Sequence, residues 1–184
     1  TNQTSIDKCV FASDGNCTDQ GDLTAARRGL SASSSTTHGY NAGGYTGAPF
    51  VNVIDKFAMG STADATDVGD LTATGQTGAG VTSTTHGYVA GGTYTSATRD
   101  VKKYAYASDG NATSSGDLLS IAKNYPTGGS STDYGYIMGS YTGATTTIEK
   151  WNYASEATTA NVGNTYGTNG CASHASAGYV WTSG

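Results

Sequence analysis

One phrase recurs along this chain, and its spacing limits the fold more than any other feature. It reads His38-Gly39-Tyr40-Asn41-Ala42-Gly43-Gly44-Tyr45-Thr46, then His86-Gly87-Tyr88-Val89-Ala90-Gly91-Gly92-Thr93-Tyr94, then Tyr134-Gly135-Tyr136-Ile137-Met138-Gly139-Ser140-Tyr141-Thr142. A last echo is Ala177-Gly178-Tyr179-Val180-Trp181-Thr182-Ser183-Gly184. Two other phrases keep step with it. One is Ile6-Asp7-Lys8-Cys9, Ile54-Asp55-Lys56-Phe57, Val101-Lys102-Lys103-Tyr104 and Ile148-Glu149-Lys150-Trp151. The other is Gly21-Asp22-Leu23-Thr24, Gly69-Asp70-Leu71-Thr72, Gly116-Asp117-Leu118-Leu119 and the degraded Gly163-Asn164-Thr165-Tyr166. Both recur at intervals of 48, 47 and 47 residues. A fixed period of roughly 40–50 residues marks a stacked or circular repeat architecture.

Each repeat divides into four short strands. In the unit after Gly21-Asp22-Leu23, strand one lies around Gly29–Ser34, strand two is His38–Gly43, strand three is Val51–Met59, and strand four is around Thr66–Leu71. Turn formers separate them: Tyr45–Pro49 after strand two and Ser61–Asp64 after strand three. The latter becomes Ser13-Asp14-Gly15-Asn16 in the first repeat and Ser108-Asp109-Gly110-Asn111 in the third. Asp-Gly between two strand-like runs is a hairpin signal, because Gly accepts positive φ. Thr, Val and Tyr suit strands, no apolar period of 3.6 appears, and an all-β chain follows. Small residues on strand one fit an innermost position, where neighbouring sheets crowd together.

Four strands per 47-residue repeat is the propeller unit. The Gly-Tyr-x-x-Gly-Gly strand, followed by an apolar-acidic strand carrying an aromatic (Asp55-Lys56-Phe57, Glu149-Lys150-Trp151), resembles the kelch family. The double glycine is intact at Gly43-Gly44 and Gly91-Gly92, and the basic residue near the repeat boundary is clear at Arg27 or Arg28. The wording of the repeats, such as Ala65-Thr66-Asp67-Val68-Gly69-Asp70-Leu71-Thr72 and Ser83-Thr84-Thr85-His86-Gly87-Tyr88, looks closer still to kelch-like repeats in structural and fibre proteins of aquatic bacteriophages. The phase of the repeats predicts a four-bladed propeller with blades at about 24–71, 72–118 and 119–163. A split blade from 164–184 plus 1–23 would close the ring, with Ile6–Phe11 beside Gly178–Trp181. The resemblance implies a virion component, a tail-fibre, decoration or capsid-associated protein at the virion surface or outside the cell. Its partners would be other virion or assembly proteins and a host-surface glycan.

The three cysteines fall in the split blade. Cys9 stands where other repeats have Phe57, Tyr104 and Trp151, and Cys17 where they have Ala65, Ala112 and Thr159. Two neighbouring strand positions changed to Cys in one repeat read as a disulfide, which leaves Cys171 as a free or intermolecular thiol. The alternative is two buried thiols acting as small apolar groups. A disulfide fits an extracellular setting. Asn2-Gln3-Thr4, Asn16-Cys17-Thr18 and Asn111-Ala112-Thr113 match the glycosylation triplet, which arises by accident in a Thr-rich chain.

A net charge of −5, with no basic cluster larger than Arg27-Arg28 or Lys102-Lys103, argues against binding nucleic acid. No apolar run reaches the roughly 20 residues of a membrane-spanning helix, so no membrane insertion is expected. The loop Asp14–Asp22 and its counterpart Asp109–Asp117 carry oxygens at spacings a Ca²⁺ ion could use, but Asp and Asn also cap turns, and no metal is expected. His38 and His86 hold the same place in two repeats, and His174 stands alone. No zinc spacing and no Gly-x-Ser-x-Gly turn appear. The recurring Asp22, Asp70 and Asp117 are expected to bond turn N–H groups between strand four and the next strand one. The reading is a non-enzymatic structural or binding module without a cofactor. Its alternatives are a lectin-like propeller that reads glycans with Tyr45, Tyr94, Tyr141 and Trp181, and a kelch-type oxidase, which needs a copper-ligand set of His and Tyr. Fold alone does not settle function.

Overall fold

A computed structural model of the chain describes residues 1–93, 96–141 and 145–166, and the strand backbones at 172–176 and 179–183. It is all-β among those residues. A first hairpin pairs β1 (Gln3–Lys8) with β2 (Thr18–Arg27). Three four-stranded antiparallel sheets follow, each a meander in chain order. The first is β3 (Ser31–Ser34), β4 (His38–Ala42), β5 (Val53–Ala58) and β6 (Thr66–Asp70). The second is β7 (Ala79–Thr82), β8 (His86–Ala90), β9 (Val101–Ala105) and β10 (Thr113–Ser114). The third is β11 (Thr127–Ser130), β12 (Tyr134–Ser140), β13 (Thr145–Asn152) and β14 (Ala160–Asn164). A last hairpin pairs β15 (Ala172–Ser176) with β16 (Tyr179–Ser183). The four-strand division of the repeat is therefore present three times over.

The repeated phrases have a packing reason. Gly39 stands opposite Phe57, Gly87 opposite Tyr104 and Gly135 opposite Trp151. In each case the ring of the third strand lies across the glycine of the second, filling the space where a Cβ would stand. The Gly of the His-Gly-Tyr phrase and the aromatic of the Lys-aromatic phrase are thus two halves of one cross-strand contact. Gly80 and Gly128 serve the stacking of sheets. A Cβ on Gly80 would strike the Ala32 carbonyl, and one on Gly128 the Gly80 carbonyl, so β3, β7 and β11 approach backbone to backbone. This is the innermost position that the small residues of strand one called for.

The core is a set of layers between these sheets. Tyr40, Ile54, Leu71, Val89 and Tyr104 fill one layer, and Val81, Tyr88, Val101, Leu119, Ile137 and Trp151 fill the next. Charge is buried with them. Arg27 meets Asp55 at 2.9 Å and Lys123 meets Glu149 at 3.2 Å, each pair fully enclosed. Asp55 and Glu149 hold equivalent positions in their sheets. Lys102 holds that position in the second sheet, where the sign is reversed and its ammonium lies 2.8 Å from Asp100.

Sheets are tied to their successors by a repeated set of bonds. The Ala65 N–H donates to the Asp22 carbonyl, Ala112 to Asp70 and Thr159 to Leu118, each at 2.8 Å. Lys8 reaches the Met59 carbonyl at 3.4 Å, Lys56 reaches Asp109 at 2.8 Å, and Lys103 reaches Glu156 at 2.5 Å.

Among the described residues β1 ends at Lys8 and pairs with β2, β15 pairs with β16, and no ladder joins β1 to β16. Each terminal hairpin packs on its sequence neighbour, β2 against β6 and β15 against β11. One expectation needs correction, and it concerns Asp22 and Asp70. Their backbones, not their carboxylates, make the bonds between sheets, with Asp22 N–H donating to Asp64 and Asp70 N–H to Asn111. The turn-bonding side chains sit two residues before each glycine: Asp19, Asp67, Ser114 and Asn161 accept from Gly21, Gly69, Gly116 and Gly163.

Candidate binding site

Cys9 and Cys17 are joined by a disulfide, with Cα atoms 4.3 Å apart, across the loop of the first hairpin. Cys171 lies outside the described residues. The loop oxygens considered for Ca²⁺ have separate partners: Asp109 pairs with Lys56, Asn111 accepts from Asp70, and Asp117 lies 3.3 Å from Arg99. Among the described residues no group of three or more His, Cys, Asp or Glu side chains is gathered as for a metal. The imidazoles of His38 and His86 each bond the hydroxyl of the preceding threonine, on different sheets.

In a meander, the connection from strand two to strand three lies at one end of the sheet, and the other two hairpin turns lie at the opposite end. Tyr45 and Tyr141 both follow a second strand and so share an end. Tyr45 is half-buried. Its ring packs 5.2 Å from Phe50 under the Arg28 guanidinium at 4.7 Å, and its hydroxyl donates to the Gly47 carbonyl at 2.6 Å. Tyr141 is 62% exposed and meets Tyr125 edge to face at 6.1 Å. The two predicted tyrosines stand on separate sheets. Tyr94 lies outside the described residues, as does the side chain of Trp181, whose backbone is in β16.

Tyr125 was not singled out by the sequence. It occupies the place of Gly29 and Thr77 in the repeat, and all three have positive φ: 69° at Gly29, 61° at Thr77 and 52° at Tyr125. A bulky residue in this region is strained by about 1–3 kcal/mol. The signal was present as a Tyr aligned with a Gly just before an inner strand. The exposed pair Tyr125 and Tyr141 offers aromatic surface at this end.

The other end holds a cleft of about 420 Å³ between the second and third sheets. Its walls come from the β7–β8 and β11–β12 turns and the β13–β14 loop. Tyr88 lies at its floor, stacked on Tyr153 at 5.2 Å, and the Tyr153 hydroxyl donates to the Thr82 carbonyl at 2.9 Å. Burial pushes both phenols above their ordinary pKa. The Lys103–Glu156 pair crosses one wall. His86 sits beside it, its pKa held below the ordinary imidazole value by burial and by the Lys103 charge, against the opposing pull of Glu156. Asn152 shapes the loop: its side-chain oxygen accepts from the N–H groups of Ala154 and Ser155, and its carbonyl from that of Glu156. A second hollow of about 320 Å³ adjoins the cleft, sharing Ser83 and Thr84 and lined by further serines and threonines.

No family model matches the chain, and no curated protein matches it.

Proposed function

We propose that this chain is a non-enzymatic structural and binding module of the kelch-like propeller kind. In this reading β15, β16, β1 and β2 complete a fourth blade, and the module serves at a virion surface or another extracellular assembly, where it contacts a host-surface glycan. The observation that supports it most is how the recurrent charged groups are used. Asp55, Glu149, Arg27, Lys123 and Lys56 all hold strand to strand or sheet to sheet. Residues copied with a repeat and engaged this way serve the scaffold. The wording of the repeats supports the virion setting, and the Cys9–Cys17 bridge fits an oxidising one.

The blade reading fixes a register. By analogy with His38 opposite Ala58 and Ala42 opposite Ile54, Tyr179 would stand opposite Lys8 and Trp181 opposite Ile6. Hydrogen exchange tests this: closure protects the outward amides of β1, and free exchange there refutes it. Fractionation of particles from the native source tests the setting. The chain should travel with assembled particles, and its recovery only as free protein counts against a virion role.

A lectin-like reading is favoured by Tyr125 and Tyr141, because exposed aromatic faces beside polar loops suit sugar rings. A glycan array tests it. Binding should be lost in Tyr125→Ala and Tyr141→Ala, and an empty array refutes it.

A further inference from the structure

We propose that the cleft between the second and third sheets is a binding site for a neutral, polyhydroxylated ligand, a hexose unit of a glycan. It lies at the opposite end of the sheets from Tyr45 and Tyr141. The volume, about 420 Å³, falls within the range of small-molecule sites, roughly 300–1,000 Å³.

The lining defines the ligand class. Thr84, Thr85, Thr132 and Ser155 are exposed and offer hydroxyls, which both donate and accept, while the Ser83 hydroxyl is taken up by the backbone of its own turn. Lys103 bonds one oxygen of Glu156 through one of its three N–H groups. Remaining donors and a second carboxylate oxygen are left side by side, an arrangement matching the two hydroxyls of a vicinal diol. Asp133 adds an exposed acceptor from the facing wall. With His86 neutral, Lys103, Glu156 and Asp133 sum to one negative charge, which disfavours phosphate or a carboxylated sugar.

Comparison with the interface one sheet earlier separates site from scaffold. There Lys56–Asp109 and the Tyr40–Tyr106 stack reproduce Lys103–Glu156 and Tyr88–Tyr153. Asp133, however, replaces Thr85, and Asn152 replaces Ala105. Glu156 has φ 45° with Ala157 after it, whereas Asp109 precedes Gly110, which takes the positive φ of that loop. Strain of this kind persists where the surroundings hold it, and it concentrates at binding sites. Glu156, in this conformation, lines the cleft.

The probes are the methyl glycosides of glucose, galactose, mannose and N-acetylglucosamine, titrated into the intact chain and followed by amide NMR shifts. At least one should bind with a Kd near about 1 mM and shift the amides of Thr85, His86, Thr132 and Asp133. Asp133→Asn, on an exposed side chain, should weaken it about tenfold, as loss of a hydrogen bond to a charged group does. Glu156→Gln should do the same, with unchanged circular dichroism excluding misfolding. The inference is overturned if none of the four glycosides shifts these amides, or if both variants bind as the parent does. It is also overturned if glucuronate or inorganic phosphate binds better than the neutral sugars. Binding lost in Tyr141→Ala but kept in Asp133→Asn would place the sugar at the other end, sinking the cleft while leaving the lectin-like reading intact.

Discussion

Replacing Glu149 by glutamine removes one charge from an enclosed pair and changes little else in shape. The carboxylate accepts from the Ser120 N–H at 2.7 Å and from the Thr159 hydroxyl, and it faces the Lys123 ammonium at 3.2 Å. Lys123 also donates to the Thr147 hydroxyl at 2.8 Å, which does not neutralise it. Glutamine keeps one acceptor oxygen, so the main loss is the counter-charge of a buried lysine. Breaking a buried pair on one side costs about 3–5 kcal/mol. At about 2–4 °C per kcal/mol for a chain of this size, the midpoint of thermal unfolding should fall by about 6–20 °C at pH 7, read by circular dichroism. The pH dependence has a definite sign. Burial pushes the Glu149 pKa up, but Thr159, Ser120 and Lys123 outweigh it and hold the folded value below the ordinary one. The stabilisation is therefore complete above the unfolded value, about 4.3, and fades as pH drops through the folded value. The gap between parent and variant should narrow in acid. A Glu149→Gln midpoint within about 2 °C of the parent at pH 7 would refute the reasoning.

Gly135→Ala would drive a methyl group into the Trp151 ring and should destabilise by about 1–3 kcal/mol, seen as a lower urea midpoint; an unchanged midpoint would mean that the ring does not lie over the glycine. Reducing Cys9–Cys17 reopens a loop with a sequence separation of 8 and should lower stability by about 2.5 kcal/mol on the chain-entropy model. Calorimetry with and without reductant measures it, and no shift argues that the first hairpin unfolds apart from the three sheets. His86 has a folded pKa below its unfolded one, so stability should rise with pH across the window just beneath about 6.5. His86→Gln should flatten that slope in a pH series of unfolding midpoints, where Lys103, Glu156 and Asp133 are the other charges facing the ring; an equal slope would assign it elsewhere.

The strands were legible because each repeat states them again. His38–Ala42 and Thr66–Asp70 fall almost where periodicity and turn residues put them. The roles of the charged residues were not legible. Nothing in the recurring phrase marks Asp55, Lys102 and Glu149 as interior, yet each is enclosed. Alternation reports one solvated face, and strands packed between sheets have none. Lys56 and Asp109 lie 53 residues apart, and only the stacking order makes them neighbours. Which edges meet at the two ends of the chain was not legible for a related reason: the phase of a repeat says only which strands resemble each other. Tyr125 and Asp133 were detectable as departures from the repeat, a different signal from the repetition that defined the fold.

The forward reach of Lys8, Lys56 and Lys103, each into the sheet that follows its own, makes the first and second four-stranded sheets each carry one half of two joints. A unit copied whole brings its lysine for the next neighbour and its acceptor for the previous one. The coupling between successive sheets is thus modular in the manner of a one-dimensional lattice, with one nearest-neighbour contribution for each joint. A duplicated segment of one full period, spliced between Leu71 and Thr72, would be accepted with both joints matched. A segment one residue short would turn the alternating side chains of its strand to the wrong layer. A repeat array built from these units is then best lengthened in whole periods, a rule that a designed array can follow.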